Sequence, residues 1–319
     1  MNSGPTRQFK DELEEEVLKI LAQDFAINVT KTNSVPHYND NAITFPNLDA
    51  KTQNCKLIDT CVLYIDIRRS TELNLTHRPQ TVAKLYSAFV RAMTKCARER
   101  GGHVRGIIGD RLMVLFDCEN AFKLAVETAI SMHSTADYII KRHFKYSEVT
   151  CGIGIDAGKM LATKTGFRRH GAEQQNYRSL VWLGRPANVA SKLTDVANKP
   201  EETYPLPKLD VLRWDAGAQQ VRYVEEDWST VMRGFQYSIL GGWTHIDPSV
   251  HGFWVNQKNV VTRVATPAIL MTKRVYDGYK KACPAAPSIL NGWFHYVNIS
   301  VSGYSGQIYG GNVIWDNFL

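Results

Sequence analysis

The sequence has no apolar run near the roughly 20 residues that a membrane-spanning helix needs. Residues 1–10 are polar, where a secretory leader would carry an apolar centre. A soluble, cytoplasmic chain is the expectation. The six cysteines (Cys55, Cys61, Cys96, Cys118, Cys151, Cys283) never come closer than six positions, which leaves no CxxC pair for zinc or thiol exchange. They read as reduced packing residues. No internal repeat or low-complexity tract interrupts the 319 residues. Charge of one sign is also scarce: 38 Lys and Arg against 31 Asp and Glu leave a net +7. That excess suits a polyanionic ligand, a nucleic acid or a nucleotide polyphosphate, without choosing between them. With 44% hydrophobic and 22% charged residues, disorder, collagen and a disulfide-knit mini-protein are excluded, and the chain can bury a sizeable core.

The chain opens with a helix over 7–24, where Phe9, Leu13, Val17, Leu18 and Leu21 recur at helical spacing against an acidic face. Its apolar stripe either covers the main domain or meets a partner, and packing on the main domain is the expectation. An irregular connector follows to residue 54, giving an N-terminal segment 1–54 ahead of a main domain 55–319. Leu57 to Ile67 reads as a buried strand, followed by a helix from Pro79 to the Gly101-Gly102 stop. HVRGII and RLMVLF flank Gly109-Asp110 as a hairpin with an acid at its tip. A helix over 119–142, strands at 149–156 and 177–183 and a helix over 187–197, entered through Gly184 and Pro186, complete a core of 57–197. That order predicts an α+β, ferredoxin-like arrangement with an antiparallel-rich sheet. Residues 198–262 show no clean period and read as an insertion; AILMTKRVYDGYKKA then reads as an apolar helix and the aromatic tail as a closing hairpin within 263–319.

Asp66 at a strand end and Asp110 at the hairpin tip fall on what would be adjoining strands, so their carboxylates can converge. Paired hard oxygens of this kind suit Mg²⁺ or Mn²⁺. As an arbitrary pair they would be turn residues; the surrounding text changes that.

Four segments resemble the class III nucleotide cyclases. YIDIRRST (64–71) resembles the family's first metal motif, and GGHVRGIIGDRLMVLF (101–116) its second. CGIGIDAGKM (151–160) is similar to the family's GIGIHxG strand, and GRPANVASKL (184–193) to its GDxVNxASRL helix. They occur in the family's order and spacing. The resemblance implies that Asp66 and Asp110, with the carbonyl of Ile67, bind two Mg²⁺ or Mn²⁺ ions per site. It implies that Asn188 positions the ribose and that Lys192 stands where the family places an Arg that stabilises the transferring α-phosphate. Lys keeps the charge and loses the bidentate fork. The reaction implied is in-line attack of a 3′-hydroxyl on the α-phosphorus with loss of pyrophosphate. The active sites implied lie at the interface of a homodimer.

Where purine cyclases of that family read the base, this chain has Gly106 and Val181, neither of which can pair with a purine edge. Tyr64 and Trp182 stand nearby and would narrow the pocket toward a one-ring base, although Tyr64 equally suits a packed strand face. The wording of 64–71 and 182–192, with the tail, is similar to the pyrimidine cyclases of bacterial Pycsar anti-phage systems. The implied substrate is UTP, or less favourably CTP, and the implied product acts on a separate effector protein. An adenylate or guanylate cyclase and a non-catalytic nucleotide-binding regulator are the alternatives.

Arg68 and Arg69 either meet a triphosphate or form surface ion pairs. Lys164, Arg168, Arg169 and His170 form the most basic loop, either a solvated run or a phosphate contact. His103 and His245 have no partner at ligand spacing and read as structural. No recognition helix, zinc finger or RNP pattern supports a nucleic-acid partner, and no segment suits a membrane.

Overall fold

The computed structural model describes residues 6–146, 149–165, 179–239 and 241–318, with the backbone alone at residues 179, 204–207 and 256–262. Helix α1 (Arg7–Leu21) is capped by Thr6, whose hydroxyl accepts the N–H of Phe9 at 3.2 Å. Strand β1 (Ala26–Lys31) runs parallel to the first half of the long strand β2 (Thr52–Ile67). A short α2 (Ser70–Thr76) and α3 (Pro79–Glu99), with its proline in the first turn, lead into the hairpin β3 (His103–Ile108) and β4 (Arg111–Leu115). Then come α4 (Ala121–Thr135), a π turn over Ala136–Ile140 and α5 (Lys141–His143). Next are β5 (Cys151–Thr165), β6 (Ser179–Leu183) and α6 (Arg185–Val196).

The elements β7 (Glu202–Asp215), β8 (Gln220–Asp227), α7 (Trp228–Met232), β9 (Phe235–Ser238), β10 (Gly242–His245) and β11 (Val250–Arg263) follow. They lie in a compact unit of their own, Pro200–Ala265. It comprises an antiparallel sheet β11-β7-β8 and the hairpin β9-β10 around Leu209, Val211 and Val231. Arg213 ties it together through ion pairs with Glu226 and Asp247. The chain closes with β12 (Ile269–Thr272), α8 (Lys273–Ala282), α9 (Pro287–Leu290), β13 (His295–Val297) and β14 (Ile308–Gly311).

The larger unit, Met1–Lys199 with Thr266–Leu319, holds a nine-stranded sheet in the order β13-β14-β12-β5-β2-β4-β3, with β1 on β2 and β6 on β5. Its centre, β5-β2-β4-β3, is antiparallel throughout and is built from β2-α3-β3-β4-α4-β5. This is the α+β, ferredoxin-like arrangement read from the sequence. Alternation along β2 sorts side chains between two cores. Leu63 and Ile65 join Phe89 and Met93 of α3, Ala129 and Met132 of α4 and Val275 of α8. Ile58 and Val62 join Met113, Met160 and Ala187 and Ala190 of α6 on the other face. Each large side chain so removed from water contributes ~1.5–3 kcal/mol.

Four expectations are corrected. AILM (268–271) does not open a helix: Ile269–Thr272 is a strand, fully buried between β5 and β14, and α8 starts only at Lys273. A strand covered on both faces shows a continuous apolar run, which periodicity alone does not tell from a buried helix. The connector after α1 contains β1, whose side chains are all exposed and so show no hydrophobic alternation. Helix α1 buries no residue, and Phe9, Leu13 and Leu18 stay 50%, 46% and 65% exposed. Residues 198–262 are largely β; one face of β8 carries exposed Val221 and Tyr223, which blurs the period-two signal. The cysteines are free, as expected. Among the described residues no helix is long and apolar enough to cross a membrane.

Candidate functional site

Strand register brings the two acids together. β2 pairs with β4 so that Ile65 lies opposite Leu112, which places Asp66 beside the β3–β4 turn. Gly109 takes φ +62° in that turn, a conformation that favours glycine, and this delivers Asp110 to the end of β2. The Ile67 N–H donates to Asp110 Oδ2 at 3.1 Å. Asp110 is 8% exposed. Burial first, then hydrogen bonding and like charge from Asp66, push its carboxyl up to about 6. Two largely buried carboxylates that repel each other fit a divalent cation, with the Ile67 carbonyl as a further hard oxygen. Among the described residues no cluster of three or more His, Cys, Asp and Glu offers a closed metal cage, so a cation here would complete its shell from substrate and water.

Sequence reasoning missed the group that holds Asp66. Arg111 donates from Nε and Nη2 to Asp66 Oδ2 at 3.1 and 2.6 Å, from Nη1 to Ser191 Oγ at 2.9 Å, and from Nη2 to Asp195. It fastens the first acid to α6. The available signal was its place directly after Asp110; Ser191 and Asp195, one turn apart, gave none.

Helix α6 comes this close because β5 has glycines beneath it. A Cβ on Gly154 would meet the Ala190 carbonyl at 2.2 Å and the Thr194 nitrogen at 2.5 Å. The Thr194 hydroxyl bridges the two layers, donating to the carbonyls of Ala190 and Tyr64. Beside it, Arg68 lies over Gly152, the residue paired with Asp66. It is 9% exposed rather than on the surface. Its Nη1 donates to the Asp195 carbonyl at 3.1 Å, its Nη2 lies 3.8 Å from Asp66, and its Nε is buried without a partner.

Asn188 and Lys192 lie on the outward side of α6. Asn188 is exposed, and Lys192 Nζ donates to the Ser302 carbonyl at 2.9 Å. Within one chain, no contact among the described residues joins either to Asp66 or Asp110. Tyr64 and Trp182 pack against one apolar cluster that includes Met113 and Met160. The Tyr64 hydroxyl meets Met113 Sδ at 2.9 Å, Gly106 lies opposite Met113, and Trp182 Nε1 is buried without a partner. Val181 neighbours Trp182 on β6, opposite Thr163. Tyr64 therefore stands two residues before Asp66 on β2, whereas Val181 and Trp182 lie at the other end of β5, opposite Thr163 and Ala162, ten or more positions along that strand from the Gly152 paired with Asp66.

Other sequence candidates lie elsewhere. Lys164 is in β5 rather than a loop, buried, with Nζ donating to the Asp40 carbonyl and lying 5.4 Å from the Tyr38 ring centre. Arg68 and exposed Arg69 diverge, since Arg69 takes φ +56° at the start of α2. His103 pairs with Asp117, and His245 with the carbonyl of Val231, as structural residues would. Arg168, Arg169 and His170 lie outside the described residues. One further buried acid went unread: Asp156 on β5 is wholly enclosed and accepts from Thr272 at 2.7 Å. Burial pushes its carboxyl up.

Residues 53–203 match the family described as the adenylate and guanylate cyclase catalytic domain. A uridylate cyclase of Burkholderia cepacia is 30% identical over 180 residues, covering 54% of this chain and 72% of the relative. A uridylate cyclase of Xanthomonas perforans is 32% identical over 145 residues, covering 44% and 60%. The adenylyl cyclase CyaB from P. aeruginosa superposes with a TM-score of 0.46 at 17% identity over 80% of this chain and 94% of that one.

Proposed function

The chain belongs to the class III nucleotidyl cyclases, the family of the adenylate and guanylate cyclase catalytic domain, and from that premise we propose that it is a pyrimidine cyclase. Its reaction converts UTP, or with less preference CTP, to the 3′,5′-cyclic monophosphate. The O3′–Pα bond forms, the bond from Pα to the bridging oxygen breaks, the hydroxyl proton is lost and pyrophosphate leaves. The observation that carries the chemistry is the convergence of Asp66 and Asp110 at one strand end, with Asp110 pushed up to about 6 by burial and its neighbour. Asp66, Asp110 and the Ile67 carbonyl would hold Mg²⁺ or Mn²⁺, which when bound supply positive charge to the α-phosphate and favour loss of the hydroxyl proton.

The residues divide the remaining work. Asn188 orients the ribose, and Lys192 leaves Ser302 to face the α-phosphate. Arg68, buried with an unpartnered Nε beside Asp66, supplies charge toward the triphosphate. Gly106 and Val181 offer no side-chain hydrogen bond to a base, while Tyr64 and Trp182 limit the space to one ring. The relatives named uridylate cyclases support that substrate. Because Asn188 and Lys192 face away from the acids of their own chain, each active site takes the acids from one copy and α6 from another, in a homodimer. The cyclic nucleotide then acts on a separate effector protein in anti-phage defence.

Incubating the purified chain with Mn²⁺ or Mg²⁺ and each of the four ribonucleoside triphosphates tests the reading. Cyclic UMP, with cyclic CMP as the lesser product, is expected; cyclic AMP or cyclic GMP alone would overturn the base assignment.

A further inference from the structure

Two exposed surfaces of the larger unit match each other in shape and in charge. The first is α1. On a helical wheel Phe9, Ile20, Leu13, Val17 and Leu21 fall within about 120° of arc, and none is buried. Glu12 and Glu16 line one edge of that stripe and Glu14 the other. The second is a groove of about 540 Å³ between α3 and the turn that joins α4 to α5. Its floor is Ala88 and Ala92, one helical turn apart and small enough to let another helix approach closely. Ile139, 44% exposed, and Tyr146, 70% exposed, stand on one wall. Lys84, Arg91 and Lys95 stand on the other.

The dimensions agree as well. The 15 residues of α1 span about 22 Å at 1.5 Å per residue, and the α3 face from Thr81 to Lys95 spans about 21 Å. An acidic helix with an uncovered apolar stripe and a basic trough with an uncovered apolar floor are the two halves of a helix-in-groove contact.

The helix cannot fill the groove of its own chain. β1 is fixed to the start of β2, with Ala26 opposite Thr52 and Phe25 buried. The last turn of α3 reaches the sheet where Gly102 abuts Val114, and β4 pairs there with Val62 and Leu63 of β2. Ten residues of strand separate Thr52 from Val62, about 33 Å. The four residues between α1 and β1 extend at most ~14 Å.

We infer that α1 of one copy lies in the α3 groove of a second copy. The contact uses two different surfaces, so reciprocal exchange closes a pair of chains, whereas unreciprocated exchange would build a filament. It is separate in residues from the α6 surface invoked for the catalytic pairing.

Oxidative crosslinking of the full-length chain tests it. Leu13→Cys and Ala88→Cys place thiols at the centres of helix and groove, so the pair meets in either helix orientation. A mixture of the two single variants is expected to form a disulfide-linked species of twice the chain mass, and each variant or the wild type alone is not. Arg91→Glu with Lys95→Glu in the Ala88→Cys chain should lower the yield on the order of tenfold. Adding Glu12→Lys and Glu16→Lys to the Leu13→Cys chain should restore it, which a merely misfolded variant would not show. No crosslink in the mixture, or one indifferent to the charge swap, would overturn the assignment. So would a crosslink found only within a doubly substituted chain, which would seat the helix in its own groove.

Discussion

At the scale of single residues, Asp110 holds its proton more tightly in the folded chain than it would unfolded, because burial and Asp66 both oppose its charge. Its carboxyl stands at about 6 against an ordinary 3.8, so the native state binds the extra proton between those two values. Stability is therefore lost as pH rises through that window. Asp110→Asn removes the repulsion and still accepts the Ile67 N–H. In chelator-treated protein it is expected to raise unfolding stability by ~1–2 kcal/mol above pH 6.5 and to leave it unchanged near pH 3.5. Urea unfolding at the two pH values measures this, and the same variant should have no cyclase turnover. Arg111→Ala acts in the opposite direction. It removes the fork between Asp66 and α6, at an expected cost of ~1–2 kcal/mol, and Arg111→Lys recovers only part because a point charge lacks that fork. The two acids were legible in the sequence because their motifs are contiguous. The Arg111 partners were not, since Ser191 and Asp195 are 80 and 84 positions away in the chain and meet it only through packing.

At the scale of elements, what the sequence revealed depended on how each element is covered. Helix α3 is buried along one stripe, Val82, Leu85, Phe89 and Met93, and its period is plain. The hairpin β3–β4 announced itself by its glycine turn. Strand β12, covered on both faces, and β1, covered on neither, have no period to read. The helix reading of α1 was right about its period and wrong in expecting the main domain to cover it, because an amphipathic pattern specifies a face and not what covers it. The contact of α6 with β5 is the element interaction most exposed to a single change. Gly154→Ala puts a methyl where backbone atoms of Ala190 and Thr194 lie at 2.2 and 2.5 Å. Either α6 shifts or β5 bends, at an expected ~2–3 kcal/mol. Turnover should fall more than the loss of folded protein explains, because Asn188 and Lys192 ride on the displaced helix. Comparing thermal midpoints with initial rates well below them separates the two effects.

At the scale of the whole molecule, the proposal that each site draws on two copies of the chain makes complementation the direct test. Asp66→Asn and Asn188→Ala should each be inactive alone. Mixed in equal amounts and allowed to exchange, half the dimers carry one intact site of two, so about a quarter of wild-type activity should return. Recovery of none would mean that the acids and Asn188 act within one chain. The unit Pro200–Ala265 contributes to none of the residues named for the reaction. The four cyclase motifs all precede it, which explains why its weak pattern left them readable.

Strand β1 carries one more implication. All six of its side chains are exposed, and its hold on the sheet is the backbone ladder to residues 52–57 with hydrogen bonds from Asn28 Nδ2 to Asn54 Oδ1 and from the Thr30 hydroxyl to the Cys55 carbonyl. A strand held by hydrogen bonds with no buried side chain opens at less cost than its neighbours, and amide exchange should be faster there than in β2 or β5. Once peeled, the segment up to residue 51 becomes a leash. The reach of α1 would then be set by chain length rather than by the sheet, and the helix could search a volume that the closed strand denies it.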